Sequence, residues 1–300
     1  MTAEARILSP AMRLLLDRLP LARRTRIVDV GANPNVGDPP YAALLRAGAC
    51  DVVGFEPQPT AFAALAARKS DRETYFPFAV GDGSRKQLKV YRSEGFTSVY
   101  EPYAPGFRMV GGKSWARIDE RIDFDTVALD DQPQIGVFDL LKIDIQGGEY
   151  DVFRGAEISL KPAMAVIVEL RYFPLYDGEP TMGTVDNELR RQGFILHKLL
   201  FNVGKPLRNS QRKRLNNLVL GDQLIDGDAV YLRNLGLIDG YSDDQLAHLC
   251  VLAGSVIASH TLVLHGLDEL VRRGVVPADL PGCYVDLLPA DLRRDVQAAQ

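Results

Sequence analysis

The run Val137-Phe138-Asp139-Leu140-Leu141-Lys142-Ile143-Asp144-Ile145-Gln146-Gly147-Gly148-Glu149 constrains this chain more than any other. It reads as an apolar strand that delivers an aspartate, then glycines, then a glutamate that opens a helix. In an open α/β sheet, ligands gather just past the carboxyl ends of such strands. Two further junctions of this kind lie upstream. Arg26-Ile27-Val28-Asp29-Val30-Gly31-Ala32-Asn33 is a strand entering a glycine turn, and Asp51-Val52-Val53-Gly54-Phe55-Glu56-Pro57 is a strand ending in an acid.

Between these junctions short apolar runs alternate with helical patterns, the rhythm of a parallel sheet. Strands are predicted near 26–30, 51–55, 74–79, 87–91, 137–143, 164–170, 194–200 and 228–233, and helices over 8–19, 39–48, 58–69, 148–154 and 181–192. The predicted fold is α/β, a doubly wound, mostly parallel sheet. Residues 92–118 break the rhythm with glycines, prolines and aromatics, as a lid or binding loop does. Residues 202–222 are a second irregular region, carrying Lys205, Arg208, Arg212, Lys213 and Arg214, which would hold an anionic part of a substrate if it serves the site. Beyond Leu235 the pattern turns helical, with Ser242-Asp243-Asp244-Gln245 as a capping-box start. The expected organisation is a main domain over 1–235 and a helical extension over 236–300.

A net charge of −4 gives no general attraction for nucleic acid. Three dispersed cysteines, with no CxxC, speak against a zinc cluster or a disulfide framework and for a reducing compartment, so the cytoplasm is expected. No ligand spacing demands a metal. The stretch 245–267 has no Asp, Glu, Lys or Arg, but its histidines and serines suit a buried or interface helix better than a membrane span. Such a stretch needs covering, either by its own sheet or by a second copy in a homodimer.

Several side chains could do chemistry. Gly31-Ala32-Asn33 lets backbone approach a ligand closely, and Asp29 just before it suits the ammonium or sulfonium of a cationic cofactor. Asn33 stands where the dinucleotide fingerprint GxGxxG needs its second glycine. Glu56, 25 residues after Gly31, is placed to accept hydrogen bonds from ribose hydroxyls. Asp144 emerges at a strand end, and Glu149 opens a helix whose dipole also stabilises it. Glu169 is a third acid at a strand terminus. His197, inside an apolar strand, reads first as a sheet-face residue and otherwise as an alternative base.

Taken in order, these motifs resemble the FkbM-type, S-adenosylmethionine-dependent methyltransferases over roughly residues 25–235. The match continues from Glu149 through Val152-Phe153-Arg154-Gly155-Ala156. The resemblance implies a class I methyltransferase-like Rossmann fold with an antiparallel final strand at 228–233. It implies S-adenosylmethionine as cofactor, with Val80 and Asp82 of Phe78-Ala79-Val80-Gly81-Asp82 flanking the adenine and Asp144 near the methyl donor. It places Glu169 in the site and Ser98, of Gly95-Phe96-Thr97-Ser98, on an active-site loop contacting substrate. The implied activity is methyl transfer to a hydroxyl of a sugar, glycan or other secondary metabolite, with Asp144 or Glu149 as the base. A nucleotide-sugar or dinucleotide oxidoreductase would use the same sheet and Glu56. It is disfavoured by the broken glycine fingerprint, and a non-catalytic scaffold is disfavoured by the full set of acids.

Overall fold

Alternation along each strand sends successive side chains to opposite faces, and here both faces are buried. The computed structural model describes residues 8–34, 37–112 and 114–294. α1 (Pro10–Arg18) precedes β1 (Thr25–Val30). α2 (Ala42–Arg46) leads to β2 (Cys50–Phe55), and α3 (Pro59–Arg68) to β3 (Glu73–Phe76) and the short β4 (Ala79–Val80). β5 (Arg85–Tyr91), α4 (Ala104–Met109) and β6 (Ile118–Val127) form an insertion. β7 (Leu140–Ile143), α5 (Glu149–Arg154), β8 (Ala165–Arg171), α6 (Met182–Arg191), β9 (Phe194–Lys205) and β10 (Gln223–Arg233) complete the main sheet. α7 (Asp243–Ser255), α8 (His260–Arg272) and α9 (Leu280–Asp286) follow.

The main sheet has seven strands in the order β3-β2-β1-β7-β8-β10-β9. The first five run parallel, and β10 inserts antiparallel between β8 and β9. This is the doubly wound sheet expected, with the antiparallel last strand the resemblance implied. A small sheet, β4-β6-β5, stands beside it. The predicted strand at 74–79 is two pieces, β3 and β4, interrupted at Pro77 and Phe78. β6 lies outside the predicted set: Ile118, Ile122 and Phe124 alternate as a strand should, but four charged residues between them mask the pattern.

One face of the sheet, through Ile27, Val52, Leu140, Ile167 and Val230, packs on α1, α2 and the C-terminal helices. The other, through Val28, Val53, Leu141, Val166 and Tyr231, packs on α5 and α6. The uncharged stretch 245–267 is two helices, not one, broken where Ala258 adopts φ 52°. Leu246 through Ala253 are all buried. The apolar surface that pointed to a second copy is therefore covered by the chain's own sheet and α1. The Ser242–Gln245 capping box forms as its sequence predicts. Among the described residues no helix is long and apolar enough to cross a membrane. The last residues of the predicted extension, 295–300, lie outside the described ones.

A polar clasp ties α7 to the base of the sheet. His248 is fully buried, with Nδ1 3.0 Å from Thr25 Oγ1. The nearby Asp139 carboxylate accepts two hydrogen bonds from Arg23, at 2.7 and 2.8 Å, and one from the Arg26 backbone at 2.8 Å. Because the extension and the sheet share one core, Leu249→Ala or Leu252→Ala should destabilise the whole chain by about 2–5 kcal/mol. The expected denaturation, followed by Trp115 fluorescence and by circular dichroism, is a single coincident transition. An extension that melts first would show it to be an independent unit.

Candidate active site

Strand register sets the polar side chains of one sheet face in rows. Asp29 pairs with Lys142, Lys142 with Ile167, and Ile167 with Val230. One step nearer the carboxyl ends, Glu169 pairs with Asp228, and Asp144 follows Ile143 beside them. A step further, Arg171 faces Asp226. The sheet face that is apolar under α1 and α7 thus ends in a band of acids with two buried cations.

Both cations have acidic partners. Lys142 Nζ lies 3.2 Å from Asp29 Oδ1, and the Tyr41 hydroxyl donates to Asp29 Oδ2 at 2.5 Å. Burial disfavours the Lys142 ammonium, but Asp29 and Asp144 more than offset it and raise its pKa. Asp29, predicted to meet a cationic cofactor, thus lies beside a cation of the chain itself, although its Oδ1 receives no hydrogen bond. Arg171 pairs with Asp226, lies 3.3 Å from Glu179 and 3.8 Å from Glu169, and donates to Gln146 Oε1 at 3.3 Å. Gln146 in turn donates from Nε2 to both Glu169 oxygens, at 3.1 and 2.9 Å, and to Asp144 Oδ1 at 3.4 Å. It does so from φ 61°, a left-handed conformation that costs a non-glycine residue about 1–2 kcal/mol. The amide joins Asp144, Glu169 and Arg171, which is what that strain supports.

Burial drives the acids' pKa values up. Glu169 is held well above the usual carboxylate range by burial, relieved in part by Arg171 and reinforced by Asp144 and Glu149. Asp228 is pushed up to about 6 by burial and by Asp144. Asp226 is raised by burial against the pull of Arg171.

The remaining predicted residues divide. Gly31, at φ 81°, carries no Cβ because one would collide with the Asp144 carbonyl oxygen, so this glycine closes β1 onto β7. Asn33 bonds back through its N–H to the Gly31 carbonyl at 2.8 Å. Glu56 sits buried at the end of β2, accepting from the Gln58 N–H at 2.8 Å, and burial raises its pKa. Glu149 does not face an open site: its two oxygens accept from the Ile145 and Gly147 N–H groups at 3.0 and 2.9 Å. It ties the turn that presents Asp144, and burial, against the pull of these backbone hydrogen bonds, raises its pKa. Ser98 is also structural. It is 1% exposed and donates to the Gln146 carbonyl at 2.7 Å, pinning the insertion to the same turn.

Val80 packs its side chain in the second core. Asp82 accepts from the Ser84 hydroxyl and N–H at 2.5 and 3.1 Å, an Asx-type turn of its own. His197 stands away from the acids, 2.9 Å from Ser259 at the start of α8, with its pKa lowered by burial and Lys198. It packs the extension onto β9.

Residues 92–118, predicted irregular, form a short 3₁₀ turn (Glu94–Phe96) and α4, ordered by an aromatic cluster. Phe96 stacks on Trp115 with centroids 5.4 Å apart. Between this cluster and the acids lies a cavity of about 210 Å³, walled by Phe96, Trp115, Gln146, Glu169, Lys205 and Asp226. Among the described residues no group of three or more His, Cys, Asp or Glu side chains is arranged to hold a metal ion. Lys142, Arg171, Asp226 and Asp228 were not singled out from sequence as site residues. Only Lys142 leaves a local trace, as a cation inside an apolar strand.

The strand order, with its inserted antiparallel strand, and the site at the carboxyl ends define a class I methyltransferase-like fold. The Methyltransferase FkbM domain matches residues 29–196, and the chain belongs to that family. Similar solved structures include methyltransferase FkbM from Methylobacillus flagellatus KT. It shares 13% identity over 74% of this chain and 58% of that chain, with a TM-score of 0.36. Another is precorrin-6y C5,15-methyltransferase from Geobacter metallireducens GS-15, at 12% identity over 74% and 84%, with a TM-score of 0.32. No curated protein matches the chain.

The raised pKa of Asp228 has a consequence for stability. A carboxyl whose folded pKa exceeds its unfolded one stabilises the fold when protonated, and that stability is lost as pH rises through the folded value. Asp228→Asn removes the cost of an ionised carboxylate. The variant should be more stable than the parent by about 1 kcal/mol above pH about 6, a figure discounted for partial exposure. The gap should close below pH about 4. Thermal melting across that range checks the sign. A variant destabilised at neutral pH would show that Asp228 is favourably paired.

Proposed function

We propose that the protein is an S-adenosylmethionine-dependent O-methyltransferase acting on a hydroxyl of a sugar, glycan or other secondary metabolite. The observation that carries this reading is an aromatic-walled cavity at the carboxyl ends of the central strands, lined by Glu169 of the row Asp144–Glu169–Asp228 and by Asp226. S-adenosylmethionine, when bound, supplies an electrophilic methyl on a sulfonium centre. A cation of that kind suits a band of carboxylates, where the pyrophosphate of a dinucleotide would be repelled. The turn after β1, through Gly31 and Asn33, and Glu56 at the end of the adjacent β2 would hold the nucleoside, with Glu56 toward the ribose.

The chain's own residues then have distinct tasks. The cavity holds the acceptor and excludes water, and Phe96 and Trp115 offer flat apolar walls. Glu169, on the cavity wall, accepts the hydroxyl proton. Gln146 and Arg171 fix its position, and a bound cation nearby would bring its raised pKa back toward the working range. Asp144 stands between the cavity and the β1 turn. Glu149 and Ser98 hold the Asp144–Gly148 turn in shape from behind.

Calorimetry should show saturable binding of S-adenosylmethionine or S-adenosylhomocysteine, weakened by about 1–3 kcal/mol in Glu56→Ala as hydrogen bonds to a charged acceptor are lost. Tight NADH binding with no response to either methionine-derived ligand would overturn the cofactor assignment. On an acceptor found by mass-based screening, Glu169→Gln should lower turnover by about two to four orders of magnitude. S-adenosylhomocysteine affinity should change little. Near-normal turnover in Glu169→Gln, with collapse in Asp144→Asn, would move the base one strand over.

A further inference from the structure

The segment joining β9 to β10 is unlike the rest of the surface. From Lys205 to Gly221 it carries five cations and no acid, in a chain whose net charge is −4. Among the described residues, Arg208, Arg212, Lys213 and Arg214 make no ion pair; Arg214 reaches only the amide oxygen of Gln211, at 3.1 Å. The same segment exposes its apolar side chains. Leu218 is 97% exposed, Val219 74% and Leu215 42%. These are not a loose tail. The Asn217 side-chain amide donates to the Arg212 and Leu215 carbonyls at 2.8 and 3.1 Å, folding the apolar tip onto the cationic 3₁₀ turn Arg212–Arg214. The Arg208 N–H bonds to the Met109 carbonyl at 2.7 Å, and the Arg212 guanidinium lies against Gly111, so the segment is fixed to α4 beside the cavity. Lys205, where it begins, lines that cavity.

An exposed leucine–valine tip is unfavourable in water, and the cations around it carry no counter-charge from the described residues of the chain. They match a surface that is anionic at the headgroups and apolar beneath, which attracts each basic residue and receives the apolar tip. From this complementarity we infer that residues 205–221 dock on an anionic lipid bilayer and set the cavity mouth at the membrane surface. The inference does not depend on the methyl-transfer reading, and its test uses no substrate. It adds that the acceptor is met at, or carried by, a membrane. Leu218 and Val219 enter the headgroup boundary while Arg208, Arg212, Lys213 and Arg214 lie on the headgroups.

Co-sedimentation of the full chain with vesicles tests this. Binding is expected to phosphatidylcholine vesicles containing phosphatidylglycerol, and not to phosphatidylcholine alone, with a marked loss at high salt. Lys213→Gln with Arg214→Gln should weaken binding about thirtyfold, as two cations each contribute about 1 kcal/mol near such a surface. Leu218→Ser with Val219→Ser should also weaken it severalfold, while thermal melting of both variants stays that of the parent. No binding by the parent protein to the anionic vesicles would overturn the proposal. So would vesicle binding indifferent to the Leu218/Val219 change and matched by capture on soluble polyphosphate, because the partner would then be an anionic polymer.

Discussion

Three carboxylates on neighbouring strands of one buried sheet face are the constraint around which this protein is arranged. Asp144, Glu169 and Asp228 share a row set by strand register, so no side-chain rotation can move them far apart. Burial first, and after it the neighbouring like charges, makes ionising such a row costly, and the raised pKa values of Glu169 and Asp228 express both. Compensation comes from above and below. Lys142 lies one row toward the core, Arg171 one row toward the rim, and Gln146 bridges the carboxylates from a strained backbone. This concentration of negative charge is what supports the proposed sulfonium-bearing cofactor.

The same sheet face does two jobs along its length. Its lower rows, Ile27, Leu140 and Val230, are apolar and covered by α1 and the C-terminal helices. Its upper rows are charged, and Glu169 and Asp226 among them line the cavity. The extension therefore packs directly beneath the site and adds core on the face that carries the electrostatic burden. The insertion completes the enclosure from the other side: Ser98 clamps the Gln146 turn, and the Tyr91–Phe107–Tyr176 cluster holds the aromatic wall in place. Glu149, tied to the backbone of that turn, is the local brace that makes the presentation of Asp144 reproducible.

The cavity combines walls of opposite character. Aromatic and aliphatic side chains form one side, carboxylates and the Gln146 amide the other, and Lys205 marks the edge where the cationic segment begins. Walls of this mixed character are usual in pockets that fix a ligand's orientation by a few polar groups, and the basic, leucine-tipped segment stands beside them.

Much of this was readable locally. The alternating apolar runs identify the strands, glycines at Gly31 and Gly147 mark turns, and Ser242 with Gln245 announces α7, because each depends on residues a few positions apart. The strand ends bearing Asp144, Glu56 and Glu169 were legible for the same reason. What a local pattern cannot carry is which partner a charge meets. A glutamate opening a helix looks the same whether it faces substrate or, like Glu149, folds back on its own turn. Asp29 reads as open until Lys142 and Tyr41 arrive from other elements. Arg171 and Asp226 are 55 residues apart and meet only because β10 inserts antiparallel beside β8. His197 is a plausible base by type, and only the packing of α8 on β9 assigns it to Ser259. The sequence alone determined the strands, their polarity of pattern and the acids at their ends. Tertiary structure decided which of those acids stay exposed to chemistry, because charge compensation is made across strands and not along them.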